Sequence, residues 1–419
     1  MSNESSKVLN FDDDYSLEAV PENSSERKSF WAMFVVMLGF TFFSASMSVG
    51  ATMGNGLNLS GFVWAVIIGG VILGAYTGLL AYVGQATGFS MDLLAQRSFG
   101  TKGSYLPSAM ISFTQIGWFG VGAAMFAYPV SELTGVNPWI FIILVGICMT
   151  SSAYFGMKGL TIVSFVSVPL ITILGIISMV SATSESGGWI AMFAKSQGSI
   201  TLPAAIGMVV GSFVSGGTAT PNFVRFAKSK NIAVICTVVA FFIGNTLMFL
   251  FGAVGGAYTG RDDIFYVMIA QGFAIPAIIV LGANIWTTND NALYSAGLGL
   301  SNITKIRKKP LTLVSGAIAT LAAIWLYNNF ISWLSFLNAT LPPVGVILIL
   351  DYFLHKENYS KDSAPTQTVN FWAVAGVVAG ALVANFLPWG IASINAMVTA
   401  TVLYLIGAAL QKKAGANVR

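Results

Sequence analysis

Charge is what this sequence has least of. Asp, Glu, Lys and Arg make up 9% of its 419 residues and hydrophobic residues 55%, whereas soluble domains carry about 25% charged residues. A chain of that composition cannot cover its surface in water, which excludes a soluble globular protein. The scarcity is patterned as well: no charged residue falls in 105–131, 231–260, 311–350 or 363–411. Each gap holds one or two helices, because about 20 apolar residues cross the hydrocarbon of a bilayer. Histidine occurs once, as His355, and cysteine twice, as Cys148 and Cys236. The two cysteines fall in different predicted helices, so neither a disulfide framework nor a metal cluster is available. A membrane-embedded enzyme would need a nucleophile, a metal cluster or a carboxylate pair in its spans, and Asp290 is the only acid well inside one. A channel would need a ring of repeated polar residues, and none is visible. The net charge of +4 is accounted for by basic loops and does not point to nucleic acid.

What is present is a long series of apolar runs. Read against Gly, Pro and charged breaks, they predict an all-α integral membrane protein of twelve helices. The first six lie near 29–53, 60–84, 105–130, 138–156, 159–181 and 203–226. The rest lie near 232–257, 275–300, 311–328, 330–353, 369–387 and 389–411. Residues 1–28 are acidic and lack an apolar run, and they read as a disordered cytoplasmic tail rather than a signal peptide. Residues 412–419 form a second tail. With both termini cytoplasmic, the predicted inner segments hold all the lysines and arginines except Lys195 and Arg261, as the retention of basic residues on the cytoplasmic side requires. The expected location is a bacterial inner membrane, and the expected partners are the lipid bilayer and a small solute. The protein is expected to be monomeric.

Two helices read as interrupted. The first changes character around Phe43-Ser44-Ala45-Ser46 to Gly50, the sixth around Ser212 to Thr218, each with an aromatic followed by small and hydroxylated residues. Five helices separate their starts, so a second repeat would enter the membrane inverted. Paired discontinuous helices of that kind point to a binding site at mid-membrane. On that reading helices 1–5 (29–181) and 6–10 (203–353) are two inverted repeats, followed by two more helices (369–411). Close packing by small residues is the competing account of each cluster.

The near absence of ionisable groups in the spans predicts a neutral polar substrate and a coupling ion held by neutral oxygens. Asp290 has two readings, as a titrating coupling residue or as a structural acid. Arg225 and Asp351 read as snorkelling or loop-pairing groups at cytoplasmic helix ends. The third helix carries Gln115 and Trp118, three apart and so on one face, and the eighth carries Asn284, Trp286, Thr287, Thr288, Asn289 and Asn291. Carboxamides donate and accept at once, which suits the amide-like edge of a nucleobase or hydantoin, and Trp118 and Phe213 could sandwich a planar ring. The structural alternative is that the buried amides bond only between helices. Unwound backbone in the first helix together with Thr287 and Thr288 would form an all-oxygen site for a hard cation. Threonines in a span also commonly bond their own helix.

At these residues the sequence resembles the nucleobase cation symporter family. The resemblance is carried by Leu38 to Ser46, Thr114 to Gly122, Val210 to Phe213, Phe223 to Phe226, Asn284 to Leu293 and Trp325 to Phe330. It implies a LeuT-like five-plus-five inverted repeat with two additional helices, importing cytosine together with sodium by alternating access. Carried over by position, Trp118 and Phe213 would stack on the base, and Gln115, Asn284, Asn289 and the Ser215 backbone would bond its edge. Carbonyls of Phe43, Ser46 and Asn284 and hydroxyls of Thr287 and Thr288 would hold the sodium. The alternative within the same architecture is a proton-coupled carrier of a purine, allantoin or hydantoin.

Overall fold

The computed structural model describes residues 15–329 and 339–413, apart from 361, 362, 364, 366 and 388. Among them the chain is helical without a strand, and its one strand-like pairing is an isolated bridge between Lys28 and Ala227. The first half contains α1 (Phe30–Thr41), α2 (Ser44–Gly56), α3 (Leu59–Thr87), α4 (Met91–Ser98), α5 (Tyr105–Thr134), α6 (Pro138–Tyr154), α7 (Gly156–Glu185) and the short α8 (Gly188–Phe193). The second contains α9 (Leu202–Thr218), α10 (Pro221–Val224), α11 (Lys230–Val239), α12 (Asn245–Thr259), α13 (Ile264–Ala270), α14 (Ala274–Thr304) and α15 (Lys308–Asn328). The last three helices are α16 (Pro342–Leu354), α17 (Phe371–Phe386) and α18 (Ala392–Lys413).

Among the described residues five of these helices are long and apolar enough to span a bilayer alone, α11 and α12 form a sixth span through the π-helical turn Ala240–Gly244, and the broken pair α1–α2 makes a seventh. Four shorter apolar helices, α6, α9, α16 and α17, and the 31-residue α14 complete twelve. The expected tenth helix (330–353) is described only from its carboxy-terminal part, because 330–338 lie outside the described residues. Large apolar side chains such as Ile147, Ile162, Leu321 and Phe386 stand exposed around the outside, where lipid rather than water must be the solvent. Elements of the first half recur about 170 residues later: α3 and α11 begin at 59 and 230, α4 and α13 at 91 and 264, α5 and α14 at 105 and 274, α6 and α15 at 138 and 308. With five spans per half, the second half runs in the opposite sense.

Packing sorts the spans into two groups. The first and second spans pack on the sixth and seventh, through α2 against α12, α3 against α9 and α11, and α1 against α11. The third, fourth, eighth and ninth pack among themselves, chiefly α14 and α15 on α5 and on each other, and α7 lies against both groups. The α2–α12 contact is backbone on backbone. A Cβ at Gly252 would stand 1.8 Å from the Met47 carbonyl oxygen, and one at Gly50 2.2 Å from that of Phe249. Gly252→Ala is therefore expected to destabilise the protein by about 1–3 kcal/mol. Gly74→Ala, whose Cβ would meet only Val238 at 3.6 Å, is expected to have little effect. Thermal melting of both variants in detergent checks this.

The amino-terminal segment departs from expectation. Residues 15–28 are packed: Val20 is fully buried and its N–H donates to the Gly88 carbonyl at 2.9 Å. The Lys28 N–H donates to the Phe226 carbonyl, the Lys28 carbonyl accepts from the Lys228 N–H, and the Arg27 guanidinium donates to the Ala227 carbonyl at 2.7 Å. Only residues 1–14 of the expected disordered tail lie outside the described residues, as do 414–419 of the carboxy-terminal one. Acidic composition does not show that this segment finds its acceptors some 200 residues away in sequence.

Candidate functional site

The break in the first span falls at Phe42 and Phe43, whose extended backbone turns the helix axis by 55°. That is earlier than expected, since α2 is already helical from Ser44. The sixth span is likewise broken later than expected. α9 continues through Thr218, and the chain turns at Ala219–Thr220 before α10. The hydroxyls thought to mark unwinding instead bond their own helix, Ser212 to the Val209 carbonyl and Thr218 to that of Val214, both at 2.8 Å. The glycines of the same cluster serve close packing: a Cβ at Gly217 would stand 2.8 Å from Thr77.

Where the broken first span meets α5, α9 and α14 there is a small cavity, with room for about one water molecule as it stands. Phe40 and Phe43 line it from the first span, Gln115 and Trp118 from α5, Phe213 and Ser215 from α9, and Thr288 from α14. Its rings brace one another. Phe43 and Trp118 meet edge-on at 5.3 Å, and Phe213 stands edge-on to Phe40 at 5.2 Å and to Phe241 at 5.4 Å. The Trp118 indole N–H donates to the Ser215 hydroxyl at 3.0 Å, which holds the ring in place. The Gln115 Nε2 is buried with no hydrogen-bond partner, and leaving such a donor unpaired costs about 1–3 kcal/mol.

The two asparagines expected at the ring edge do not line this cavity. Asn284 accepts from the Ser44 hydroxyl at 3.1 Å and donates to the Met248 sulfur at 3.3 Å, tying α14 to α2 and α12. Asn289 donates to the Phe119 carbonyl at 3.0 Å, and its oxygen would clash with a Cβ at Gly122, so it faces the backbone of α5. Helical phase accounts for Asn289, which lies about 100° round α14 from the cavity-lining Thr288; Asn284 shares the Thr288 face, but one turn away, where Ser44 and Met248 engage it. Phe40 and the Phe43 ring were missed as cavity residues. No helical spacing announces them, because the extended backbone at Phe42 and Phe43 interrupts the helix between the two positions.

The expected cation ligands are distributed unevenly. The Thr288 hydroxyl donates to the Phe42 carbonyl at 2.6 Å, joining α14 to the end of α1. That carbonyl, rather than Phe43's, is the one the break leaves for a side chain. Phe43 is the N-cap of α2, and its carbonyl already accepts the Ser46 N–H at 2.9 Å. Ser46 lies inside α2 with its hydroxyl unpartnered. Thr287 bonds the Asn284 carbonyl of its own helix at 3.0 Å.

A family model described as permease for cytosine/purines, uracil, thiamine, allantoin matches residues 19–411. The chain belongs to this family. It is a transporter and not an enzyme. Over 397 residues it is 47% identical to the cytosine permease of Escherichia coli K12, covering 94% of each chain. Among solved structures it is similar to Mhp1, a nucleobase-cation-symport-1 family transporter in a closed conformation with bromovinylhydantoin bound. The TM-score is 0.80 at 18% identity, over 95% of this chain and 96% of that one. A Na⁺-coupled sialic acid symporter gives a TM-score of 0.71 at 16% identity, over 92% and 90%. The all-helical architecture with a broken first span is therefore the LeuT-like fold expected of the family.

Arg225 and Asp351, expected to snorkel or to pair with loop groups, both pair inside the protein. Arg225 is fully buried; it donates to the Tyr15 carbonyl at 2.9 Å and to the Tyr294 hydroxyl at 3.3 Å. Asp351 does pair locally, accepting from Tyr359 and Tyr404 and bonding His355 Nδ1 at 2.8 Å.

Proposed function

We propose that the protein is a secondary active symporter that imports cytosine together with sodium by alternating access. The observation that carries this reading is the unpartnered Gln115 amide set beside Trp118 and Phe213 in a cavity with no charged side chain in its lining. Once its walls part to admit a ligand, such a cavity selects a flat neutral ring with donors and acceptors on its edge, and a base stacked on an aromatic gains roughly 1–3 kcal/mol. Gln115 bonds the edge; Trp118 and Phe213 cover the faces; Ser215 contributes by positioning Trp118. The 47% identity to a cytosine permease over nearly the whole chain supports cytosine as the ring.

Sodium is held at the α1–α14 contact by the Phe42 carbonyl and the Thr288 hydroxyl, with Asn284, Thr287, Phe43 and Ser46 supplying further oxygens as the break adjusts. An all-oxygen set suits a hard monovalent cation. Ordering this junction completes one wall of the cavity, since Phe43 and Thr288 belong to both. One sodium entering down about 100 mV releases roughly 2.3 kcal/mol, and a tenfold gradient adds about 1.4 kcal/mol. The membrane is a bacterial inner membrane, with both termini on the cytoplasmic face that holds the basic loops.

Asp290 favours a second reading. It is fully buried in α14 and neither carboxylate oxygen has a hydrogen-bond partner, a placement suited to carrying a proton. Uptake of labelled cytosine into proteoliposomes, with sodium and proton gradients imposed separately, decides between the two. Saturable uptake driven by sodium alone is expected. Uptake driven only by the proton gradient would replace sodium, and a panel of purines, allantoin and hydantoins run alongside tests the ring.

A further inference from the structure

The cavity and its cation junction do not use Asp92. This acid lies in α4, the short helix between the second and third spans, and is 2% exposed. Its Oδ1 accepts from the Ser108 hydroxyl of α5 at 2.6 Å, and its Oδ2 has no partner. α4 is wedged where three spans end. A Cβ on Gly299 of α14 would stand 3.3 Å from the Asp92 carboxylate, and the Met91 N–H donates at 2.8 Å to Asn222 of α10, whose own amide nitrogen is unpartnered. The ends of the third, sixth and eighth spans, which carry the cavity walls, therefore meet around one under-bonded carboxylate.

We propose that Asp92 is a gate residue that destabilises the closed arrangement of these three span ends and so promotes opening toward the side on which α4 lies. Burying a carboxylate whose Oδ2 has no donor is unfavourable, and parting α4 from α5, α10 and α14 would rehydrate it. The charged groups facing it are Arg225 from the end of α10 and Lys305 from the end of α14, which offset its burial only in part. α5 presents Ser108. Tyr359, from the turn after α16, bears on the other end of α4 at Arg97 and Ser98. Burial pushes the Asp92 carboxyl up to about 6 from 3.8. The sign follows from linkage: the closed state binds the proton more tightly, so closure is disfavoured above pH 6 and relieved as pH falls toward 4. Two units correspond to about a hundredfold in the open-to-closed ratio. In the second half Asp263, the N-cap of α13, is buried too.

The proposal rests on alternating access. It is tested on the full chain in nanodiscs, with Cys148 and Cys236 replaced by serine and spin labels at the exposed positions 102 and 228. Asp92→Asn, which keeps the Ser108 bond and removes the charge, is expected to lower the open-to-closed ratio at pH 7.5 by up to about a hundredfold, with wild type approaching the variant only as pH falls below about 4. Asp92→Glu is expected to keep the pH response. A wild-type ratio in Asp92→Asn, or an undiminished pH response in that variant, would overturn the proposal while leaving the transport reading intact. No distance change with pH, sodium or cytosine in any protein would overturn both.

Discussion

Gln115→Leu is expected to abolish high-affinity cytosine binding while leaving the empty protein as stable as before or more so. The two effects have one origin. In the structure the Gln115 Nε2 is buried without a partner, so a side chain of similar size with no donor removes a standing penalty of about 1–3 kcal/mol. The same change leaves the polar edge of the ring with nothing to bond in a desolvated cavity. A site built to hydrogen-bond its substrate loses far more than one that merely encloses it, and a fall in affinity of a hundredfold or more is expected. Trp118→Ala should lower affinity by about ten- to a hundredfold, the value of one stacking face. Trp118→Phe should retain most of it, because a ring remains although the donation to Ser215 is lost. Titration calorimetry together with melting temperature reads both consequences. A loss of binding that tracks a loss of stability would assign Gln115 to the fold rather than to the site.

The bilayer made the architecture legible in the sequence, because it demands helices of a given length and punishes charge within them, and both demands are written in composition. The site was legible in part. Gln115, Trp118 and Phe213 reach one cavity because each sits on a face set by simple helical spacing. Asn284 and Asn289 were expected there with them, yet a carboxamide shows only that a polar partner is needed. Met248 and Ser44 engage one, and the Phe119 carbonyl takes the amide nitrogen of the other, whose oxygen stays unpartnered; no local pattern announces these partners. The positions of the breaks were obscured in the same way. Ser212 and Thr218 look like residues of an unwound segment, but each hydroxyl folds back on a carbonyl three or four residues earlier and leaves the helix intact. The packed segment 15–28 was illegible because its partners Gly88, Phe226 and Ala227 are distant in sequence.

The same contrast between a hydroxyl that serves its own helix and one that serves another separates Thr288 from Thr287. Thr288 reaches across to the Phe42 carbonyl at 2.6 Å, whereas Thr287 bonds the Asn284 carbonyl one turn back at 3.0 Å. Adjacent threonines of identical chemistry should therefore differ in effect. Thr288→Ala removes an oxygen from the α1–α14 junction and uncaps the Phe42 carbonyl, so the sodium concentration for half-maximal uptake is expected to rise about tenfold or more. That corresponds to about 1.4 kcal/mol, within reach of one hydrogen bond or ligand to a charged group. Thr287→Ala removes a hydroxyl already satisfied within α14, and its shift should be several times smaller. Thr288→Ser restores the oxygen and should restore the sodium dependence. At saturating sodium all three variants should bind cytosine within a few-fold of the parent protein, since Thr288 forms the edge of the cavity rather than a face of the ring site. Equal shifts in Thr287→Ala and Thr288→Ala would mean that both hydroxyls turn to the ion and that α14 gives up its internal bond. No shift in either would remove sodium from this junction and return the coupling role to Asp290.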